Sequence, residues 1–251
     1  MLAAQRKELL LDRLRVDGRL VAKDLAAELD TSEDTIRRDL RELADAGLCQ
    51  RVYGGAIPIP AAAASYARRQ EIATTSKRRV ALACVSLIQP GSTVILDGGT
   101  TALEVARLLP RDVEVTVITH SPTIAVALVD HPAEVFILGG RLFKHSVVAS
   151  GAAAAEAAAQ VTADLFLMGV TGVRPDTGLT TGDVDEAATK RALSRRAAQT
   201  WVMASEEKIG AASPFRVLGL DEVAGIVSDA DPANAVLAEL EGAGVEVLRA
   251  G

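Results

Sequence analysis

The stretch Thr31-Ser32-Glu33-Asp34-Thr35-Ile36-Arg37-Arg38-Asp39-Leu40-Arg41-Glu42-Leu43 decides how the first part of the chain folds. Thr31 and Ser32 offer N-cap hydroxyls, and Asp34 sets a carboxylate in the first turn, where it complements the helix dipole. Ile36, Leu40 and Leu43 recur at i, i+4 and i+7, one face of a 3.6-residue period. At about 100° per residue, Arg37, Arg38 and Arg41 fall roughly 100–200° from Ile36. Three guanidinium groups therefore project from the side opposite the core.

Upstream, Leu9, Leu10, Leu14 and Val16 form the apolar stripe of a first helix that stops near Asp17-Gly18. A second short helix, about Val21 to Leu29, buries Leu25 and Leu29 at i, i+4. After Gly47, the segment Leu48 to Ala56 reads as short and extended, with Gly54-Gly55 as its turn signal. Three helices followed by a β-wing make a winged helix-turn-helix, whose third helix enters the major groove. Arg51 and Tyr53 in the wing would meet backbone phosphates. An isolated Arg-Arg pair is more simply a solvated helix face, but the whole combination reverses that preference.

The run Ser32 to Leu40, followed by Leu43, Gly47 and Gly54-Gly55-Ala56, resembles the DNA-binding signature of the DeoR family of bacterial transcriptional regulators. The resemblance implies DNA contacts from Ser32, Thr35, Arg37, Arg38, Arg41, Arg51 and Tyr53. Tyr53 stands where the family usually has histidine, and tyrosine also hydrogen-bonds a phosphate.

Working outward, 251 residues fit one large domain or one small plus one medium domain. Apolar residues at 49% and charged residues at 24% exclude a disordered chain. A net charge of −6 excludes a uniformly basic nucleic-acid binder, though not a local basic patch. Residues 1–57 carry 10 basic and 11 acidic side chains, 58–80 carry 5 and 1, and 81–251 carry 12 and 21. The acidity thus belongs to the C-terminal two-thirds. Such asymmetry fits a small module that meets a polyanion joined to a larger domain with another task.

Cys49 and Cys84 form no disulfide framework, and no Cys-x-x-Cys or His-x-x-x-His spacing suggests a metal, so neither metal nor cofactor is expected. The N-terminus lacks a signal-peptide pattern, and no segment approaches the ~20 apolar residues of a membrane span. The setting expected is soluble, reducing and cytoplasmic.

Residues 58–80 contain Pro58, Pro60, four consecutive alanines, and then Arg68, Arg69, Lys77, Arg78 and Arg79. They read as a connector leading into a helix from Val80 to Leu87. Tyr66-x-x-Arg69 resembles the family's Phe-x-x-Arg junction, and a solvated charged junction is favoured over DNA contact. The expected organisation is a DNA-binding domain over 1–57, a linker over 58–75 and a sensor domain over 76–251.

From Val94 onward, short β-branched runs alternate with helical stretches. Strands are predicted at Val94–Asp97, Val113–Thr119, Val135–Leu138, Leu165–Gly169, Trp201–Ala204, Gly225–Ser228 and Val245–Leu248. Helices are predicted near 101–109, 121–130, 186–198 and 232–242. The alternation implies an α/β domain with a mainly parallel sheet covered on both faces. Ligands of open α/β sheets bind at the carboxyl ends of strands, where the polar glycine-rich loops fall.

The first such loop, Asp97-Gly98-Gly99-Thr100-Thr101, combines close backbone approach with free N–H donors at a helix start, an anion site that suits phosphate. Asp97 would hydrogen-bond sugar hydroxyls. The loop matches neither a P-loop nor the dinucleotide fingerprint, which leaves a small phosphorylated metabolite. Taken alone, Gly-Gly-Thr-Thr is equally a tight turn with an N-cap.

This loop, with Val117 to Ser121, Leu138-Gly139-Gly140, Gly169-x-x-Gly172 and Lys190, resembles the DeoR-type sensor domain. That domain is related to ribose-5-phosphate isomerase and CoA-transferase-like folds and binds sugar phosphates. The effector site expected comprises Asp97, Gly98, Gly99, Thr100, Thr101, His120, Ser121, Gly139, Gly140, Arg141, Gly169, Gly172, Asp183, Lys190 and Lys208. Two departures stand out: Gly98 where serine is common, and His120 where asparagine is usual. Glu186 and Lys190 at i, i+4 read equally as a surface ion pair. His131 and His145 read as loop residues and Trp201 as core.

The leading expectation is a transcriptional regulator, a repressor of a carbohydrate operon, bound to operator DNA as a homo-oligomer (dimer or tetramer) and released by a sugar phosphate. A sugar-phosphate isomerase is the alternative, with Asp97 or Asp183 shuttling protons; it leaves the winged helix without a role. A third reading is a DNA-binding structural module whose second domain only dimerises.

Overall fold

The computed structural model describes residues 3–17, 19–46, 48–57 and 64–251. The expected stops at Gly18 and Gly47, residues 58–63 of the connector and the side chain of Val16 lie outside the described residues. The chain divides into two compact units, Met1–Ala64 and Ser65–Gly251.

In the first unit, α1 (Ala3–Asp17), β1 (Leu20–Val21), α2 (Ala22–Glu28) and α3 (Glu33–Asp45) precede β2 (Gln50–Val52) and β3 (Gly55–Ile57). Ser32 caps α3, its Oγ accepting from the Thr35 amide at 3.2 Å. Leu10, Leu14, Leu25, Ile36, Leu40 and Leu43 close one core against Ala56. Strands β2 and β3 pair antiparallel through a turn at Tyr53-Gly54, where Gly54 adopts φ +81°. Strand β1, absent from the sequence reading, adds to β3. A Cβ on Gly55 would sit 1.7 Å from the Leu20 carbonyl oxygen, so this close approach requires glycine. The expected winged helix-turn-helix is the fold observed.

The second unit begins within the stretch read as a linker, with α4 (Tyr66–Glu71) and α5 (Thr74–Val85). It continues through β4 (Thr93–Leu96), α6 (Thr100–Leu108), β5 (Thr116–Thr119), α7 (Pro122–Ala127) and β6 (Glu134–Ile137). A hairpin, β7 (Arg141–Phe143) and β8 (Val148–Ser150), is followed by α8 (Ala152–Ala159) and β9 (Ala163–Gly169). Next come β10 (Gly172–Arg174), β11 (Gly178–Thr181), α9 (Val184–Ser194), β12 (Ala197–Met203) and β13 (Phe215–Leu218). The last elements are β14 (Gly225–Ser228), α10 (Ala235–Gly242) and β15 (Val247–Arg249).

The seven strands expected from sequence are those of one parallel sheet, ordered β15-β14-β12-β9-β4-β5-β6. Alternate strand residues feed two cores. Val94, Leu96, Leu165, Leu167, Trp201 and Met203 pack on one face. Ile95, Phe166, Met168, Val202 and Ile226 pack on the other. Burial on both faces explains why these strands read as continuous apolar runs. The chain winds outward from β4 in one direction and from β9 in the other, so the switch point lies between them. A ligand crevice is expected at the carboxyl ends of those two strands.

Among the described residues, no helix is long and apolar enough to cross a membrane. The alanine-rich stretch after Val147 forms β8 and α8.

Candidate functional site

On the first unit, the buried face of α3 carries Ile36, Leu40 and Leu43, and this leaves Arg37, Arg38 and Arg41 exposed. Arg37 pairs with Glu33 at 2.7 Å, while Arg38 and Arg41 make no hydrogen bond or ion pair among the described residues. Arg51 is exposed on the wing, and Tyr53 at its tip is fully solvent-facing. Arg37, Arg51, Tyr53 and the Gly54-Gly55 backbone line a groove of about 180 Å³ between helix and wing. Ser32 and Thr35 join hydroxyls at 2.8 Å in the cap.

Asp39, inside the Arg-Arg-Asp-Leu run, turns the other way. It is buried and binds Arg6 of α1 through both carboxylate oxygens, which keeps the Arg6 guanidinium above its ordinary pKa. Sequence reasoning gave Asp39 no role. The structure makes it the tie that sets α3 against α1.

On the second unit, the switch point is built around Asp97, which has no exposed surface. Its Oδ1 accepts from the Gly98 amide at 2.8 Å and lies 2.8 Å from His120 Nε2. Its Oδ2 accepts from the Gly169 amide at 2.7 Å and from Lys190 Nζ. Burial alone would raise the Asp97 pKa, but Lys190 and His120 outweigh it and hold the carboxyl well below the usual range. Burial likewise opposes the Lys190 charge. The carboxylates of Asp97 and of Glu186, 3.6 Å away, outweigh it and lift the ammonium above ordinary lysine. Glu186 and Lys190 are both buried, so they are not the surface ion pair weighed above.

With four partners inside the protein, Asp97 has no lone pair directed at a ligand. The expectation that it hydrogen-bonds sugar hydroxyls gives way to a positioning role, clamping β4 to β9 across the switch point.

His120 carries the clamp further, its Nδ1 donating to the Ala149 carbonyl at 2.8 Å. The Ala149 amide returns a 2.7 Å bond to the His120 carbonyl, and Ser121 Oγ donates to the Val147 carbonyl at 2.9 Å. The β7–β8 hairpin is thereby fastened over the loop. Val148 occupies the space a side chain at residue 98 would need: a Cβ there would lie 1.9 Å from Val148 Cγ1. That contact accounts for glycine in place of the family's serine.

Around this closed centre lie groups that are not satisfied. Helix α6 starts at Gly99, with φ +102° and no side-chain cap. Thr101 Oγ1 is buried there without a partner among the described residues. Arg69, on α4, donates through Nη2 to the His145 carbonyl and stacks 5.8 Å above the Tyr66 ring, yet its Nε is buried without a partner. Desolvation pulls the Arg69 pKa below ordinary arginine. Among the described residues Lys208 donates only to the Met203 carbonyl, at 3.2 Å, and its pKa is lowered chiefly by burial, with Arg69 and Lys190 adding to the effect. Lys77 is buried against the Arg69 and Ile72 carbonyls, and burial pushes it down to about 8.

Several expected site residues are committed elsewhere. Asp183 caps α9 by accepting from the Glu186 amide at 2.9 Å. Arg141 is exposed and pairs with Asp185 at 2.9 Å. Gly172 is needed where β10 passes the Ala211 carbonyl, since a Cβ would approach it to 2.2 Å. Gly139 and Gly140 are exposed in the connection from β6 to β7. Arg69 was missed because its sequence context, a basic run after prolines and alanines, reads as a junction.

Residues 6–60 match the DeoR-like helix-turn-helix domain and residues 72–230 the DeoR C terminal sensor domain. The HTH-type transcriptional regulator GlpR of Haloferax volcanii is 34% identical over 99% of this chain and 98% of its own length. A putative aga operon transcriptional repressor of Escherichia coli O157:H7 is 32% identical over 99% and 94%, respectively. The HTH-type transcriptional repressor GlcR of Bacillus subtilis is 31% identical over 99% and 96%. Among solved structures, ribose 5-phosphate isomerase A of Methanocaldococcus jannaschii covers 53% of this chain and 52% of its own, at 19% identity and TM-score 0.40. The matching families and named relatives are regulators, which sets the isomerase alternative aside.

Proposed function

The chain belongs to the DeoR family of transcriptional regulators, and from that premise we propose that it represses a carbohydrate-metabolism operon until a phosphorylated sugar binds its second unit. The named relatives, a putative aga operon repressor and the repressor GlcR among them, support this reading. The protein would work in the cytoplasm, as a homo-oligomeric dimer or tetramer matched to a two-fold operator, without a cofactor. Residues 1–57 would bind DNA, and sensing, read from sequence over 76–251 after a 58–75 linker, would extend back to the start of the second unit at Ser65 and so include Arg69.

Arg37, Arg38 and Arg41 would read base edges and phosphates, with Ser32, Thr35, Arg51 and Tyr53 on the backbone. The effector would bind over the Gly98-Gly99-Thr100-Thr101 loop, its phosphate taken by the α6 amides, Thr101, Lys208 and Arg69. Ser121 and Gly139 to Arg141 would border the sugar, while Asp97, His120, Gly169, Gly172, Asp183 and Lys190 hold the walls.

The observation that carries the proposal is the contrast inside one cluster: Asp97 accepts four hydrogen bonds from the protein, whereas Arg69 Nε and Thr101 Oγ1 are buried donors without a partner among the described residues. An unmade buried hydrogen bond costs about 1–3 kcal/mol, which an anion would recover. Linkage requires that the effector bind the DNA-free form more tightly.

Titration calorimetry of the full chain against triose, pentose, hexose and ketose phosphates, each beside its unphosphorylated sugar, tests it. At least one phosphate ester should bind, free sugars should not, and Arg69→Met should weaken binding at least tenfold. That ester should also release the chain from the DNA upstream of its own operon in a gel shift. If no ester binds, or binding survives Arg69→Met, the sensor assignment fails.

A further inference from the structure

Of the eight large apolar residues exposed on the second unit among those described, five fall between residues 126 and 142: Val126, Val129, Phe136, Ile137 and Leu142. They surround β6, which is the open edge of the seven-stranded sheet. Phe136 and Ile137 are adjacent and half exposed, at 50% and 56%. Successive strand residues point to opposite faces, so each face of this edge exposes a large apolar side chain, although the preceding Val135 packs against the core. The edge also lacks the usual protections: β6 reads Glu-Val-Phe-Ile, with neither lysine nor proline, and no bulge interrupts its pairing with β5. The opposite edge, β15, is guarded differently, its Arg249 held in a 2.7 Å ion pair with Glu241.

We propose that the β6 edge is an interface for a second copy of this chain, the two β6 strands pairing antiparallel about a two-fold axis. A strand laid antiparallel beside its own copy satisfies both sets of outward backbone groups by the same bonds, as an isologous contact requires. The charges favour this direction. The amino end of β6 is acidic, with Asp130 and Glu134 exposed and in no ion pair among the described residues. The chain leaving its carboxyl end carries Lys144, exposed and in no ion pair among the described residues, and Arg141, exposed and paired with Asp185. Antiparallel pairing sets each acidic end towards the basic end of the copy, whereas parallel pairing would stack like on like. The joined sheets would run to fourteen strands, with Val126, Val129 and Leu142 of each copy closing over the seam.

This surface makes specific the homo-oligomer proposed above, and the experiment separates the two. Sedimentation velocity of the full chain over a concentration series, at low and high salt, should show a dimer that weakens as salt rises. Phe136→Lys should raise the dimer dissociation constant at least tenfold, and Glu134→Lys should raise it by a smaller factor. Leu82→Lys, an equally exposed apolar position on α5, should change nothing. Unchanged circular dichroism and melting temperature would show that Phe136→Lys still folds. A dimer indifferent to Phe136→Lys overturns this surface and leaves the oligomer standing. A wild-type chain that stays monomeric at tens of micromolar overturns both.

Discussion

Replacing Lys190 with methionine tests whether the Asp97 cluster is structural, as its saturation implies. The substitution preserves length and apolar volume but removes the ammonium shared by Asp97 and Glu186. Deleting one partner of a buried ion pair costs ~3–5 kcal/mol, because the other charge is left uncompensated. Here Asp97 keeps the Gly98 and Gly169 amides and His120, and Glu186 keeps the Thr181 hydroxyl at 2.7 Å. The expected loss therefore sits at the low end, ~3 kcal/mol. For a unit of this size that is a fall in melting temperature of about 6–12 °C. Trp201, the only tryptophan and buried in the second unit's core, reports the transition without interference from the first unit. The pH dependence carries a definite sign. The Asp97 pKa is depressed, so its stabilisation is present above about pH 4, its unfolded value, and disappears as pH falls through the folded one. The Lys190 pKa is raised, so its contribution is complete below about pH 10 and disappears on further alkalinisation. The gap between wild type and variant should be widest between those limits and narrow outside them. A shift under about 2 °C at pH 7, or a gap that grows in acid, would refute the assignment.

Arg37→Ala with Arg41→Ala should weaken operator binding by about 1–3 kcal/mol per lost base contact, with the melting temperature unmoved, since both side chains are exposed; a gel shift and a thermal melt read the two. Four arginines per protomer (Arg37, Arg38, Arg41 and Arg51) imply a log-affinity against log-salt slope of about −4 per protomer, and a slope steeper than about −10 would contradict so small a basic footprint. Gly98→Ala should destabilise the second unit by about 1–3 kcal/mol, because its Cβ drives into Val148. Adding Val148→Ala should return most of that loss in urea denaturation, and failure to do so would locate the strain elsewhere.

The parts legible in the sequence are those where one physical rule acted alone. Ile36, Leu40 and Leu43 obey helical period without competition, so the arginine face followed from arithmetic. The inner strands β4, β5, β9, β12 and β14 were legible because double-sided burial writes them as unbroken apolar runs, as in Leu165 to Met168. The hairpin β7–β8 and strands β10, β11 and β13, at three or four residues each, are too short for any period to register. They are also held by side-chain bonds from distant positions, such as Ser121 to the Val147 carbonyl, which no local pattern encodes. Arg69 was hidden differently: a half-buried cation and a solvated one look alike in sequence, and only α4 folding against the rest of the second unit distinguishes them.

The same distinction orders the candidate site. Asp97 and Lys190 are the residues a motif search would select first, being charged and set at a strand end and on a helix. Asp97 already accepts four bonds from the protein and Lys190 is held between two buried carboxylates, so a ligand displacing either would have to break what holds β4 to β9. A sensor needs the reverse property: a rigid frame with deficits that only the effector fills. Arg69 Nε and Thr101 Oγ1 are such deficits. Arg69 also lies four residues past Ser65, where the second unit starts, on the helix that the chain enters directly from the connector. An anion that draws Arg69 off the His145 carbonyl changes the tether of α4 while leaving the Asp97 frame in place. The differential binding that linkage demands would then arise at α4, so Arg69→Met should abolish effector-driven release while leaving DNA affinity without effector unchanged.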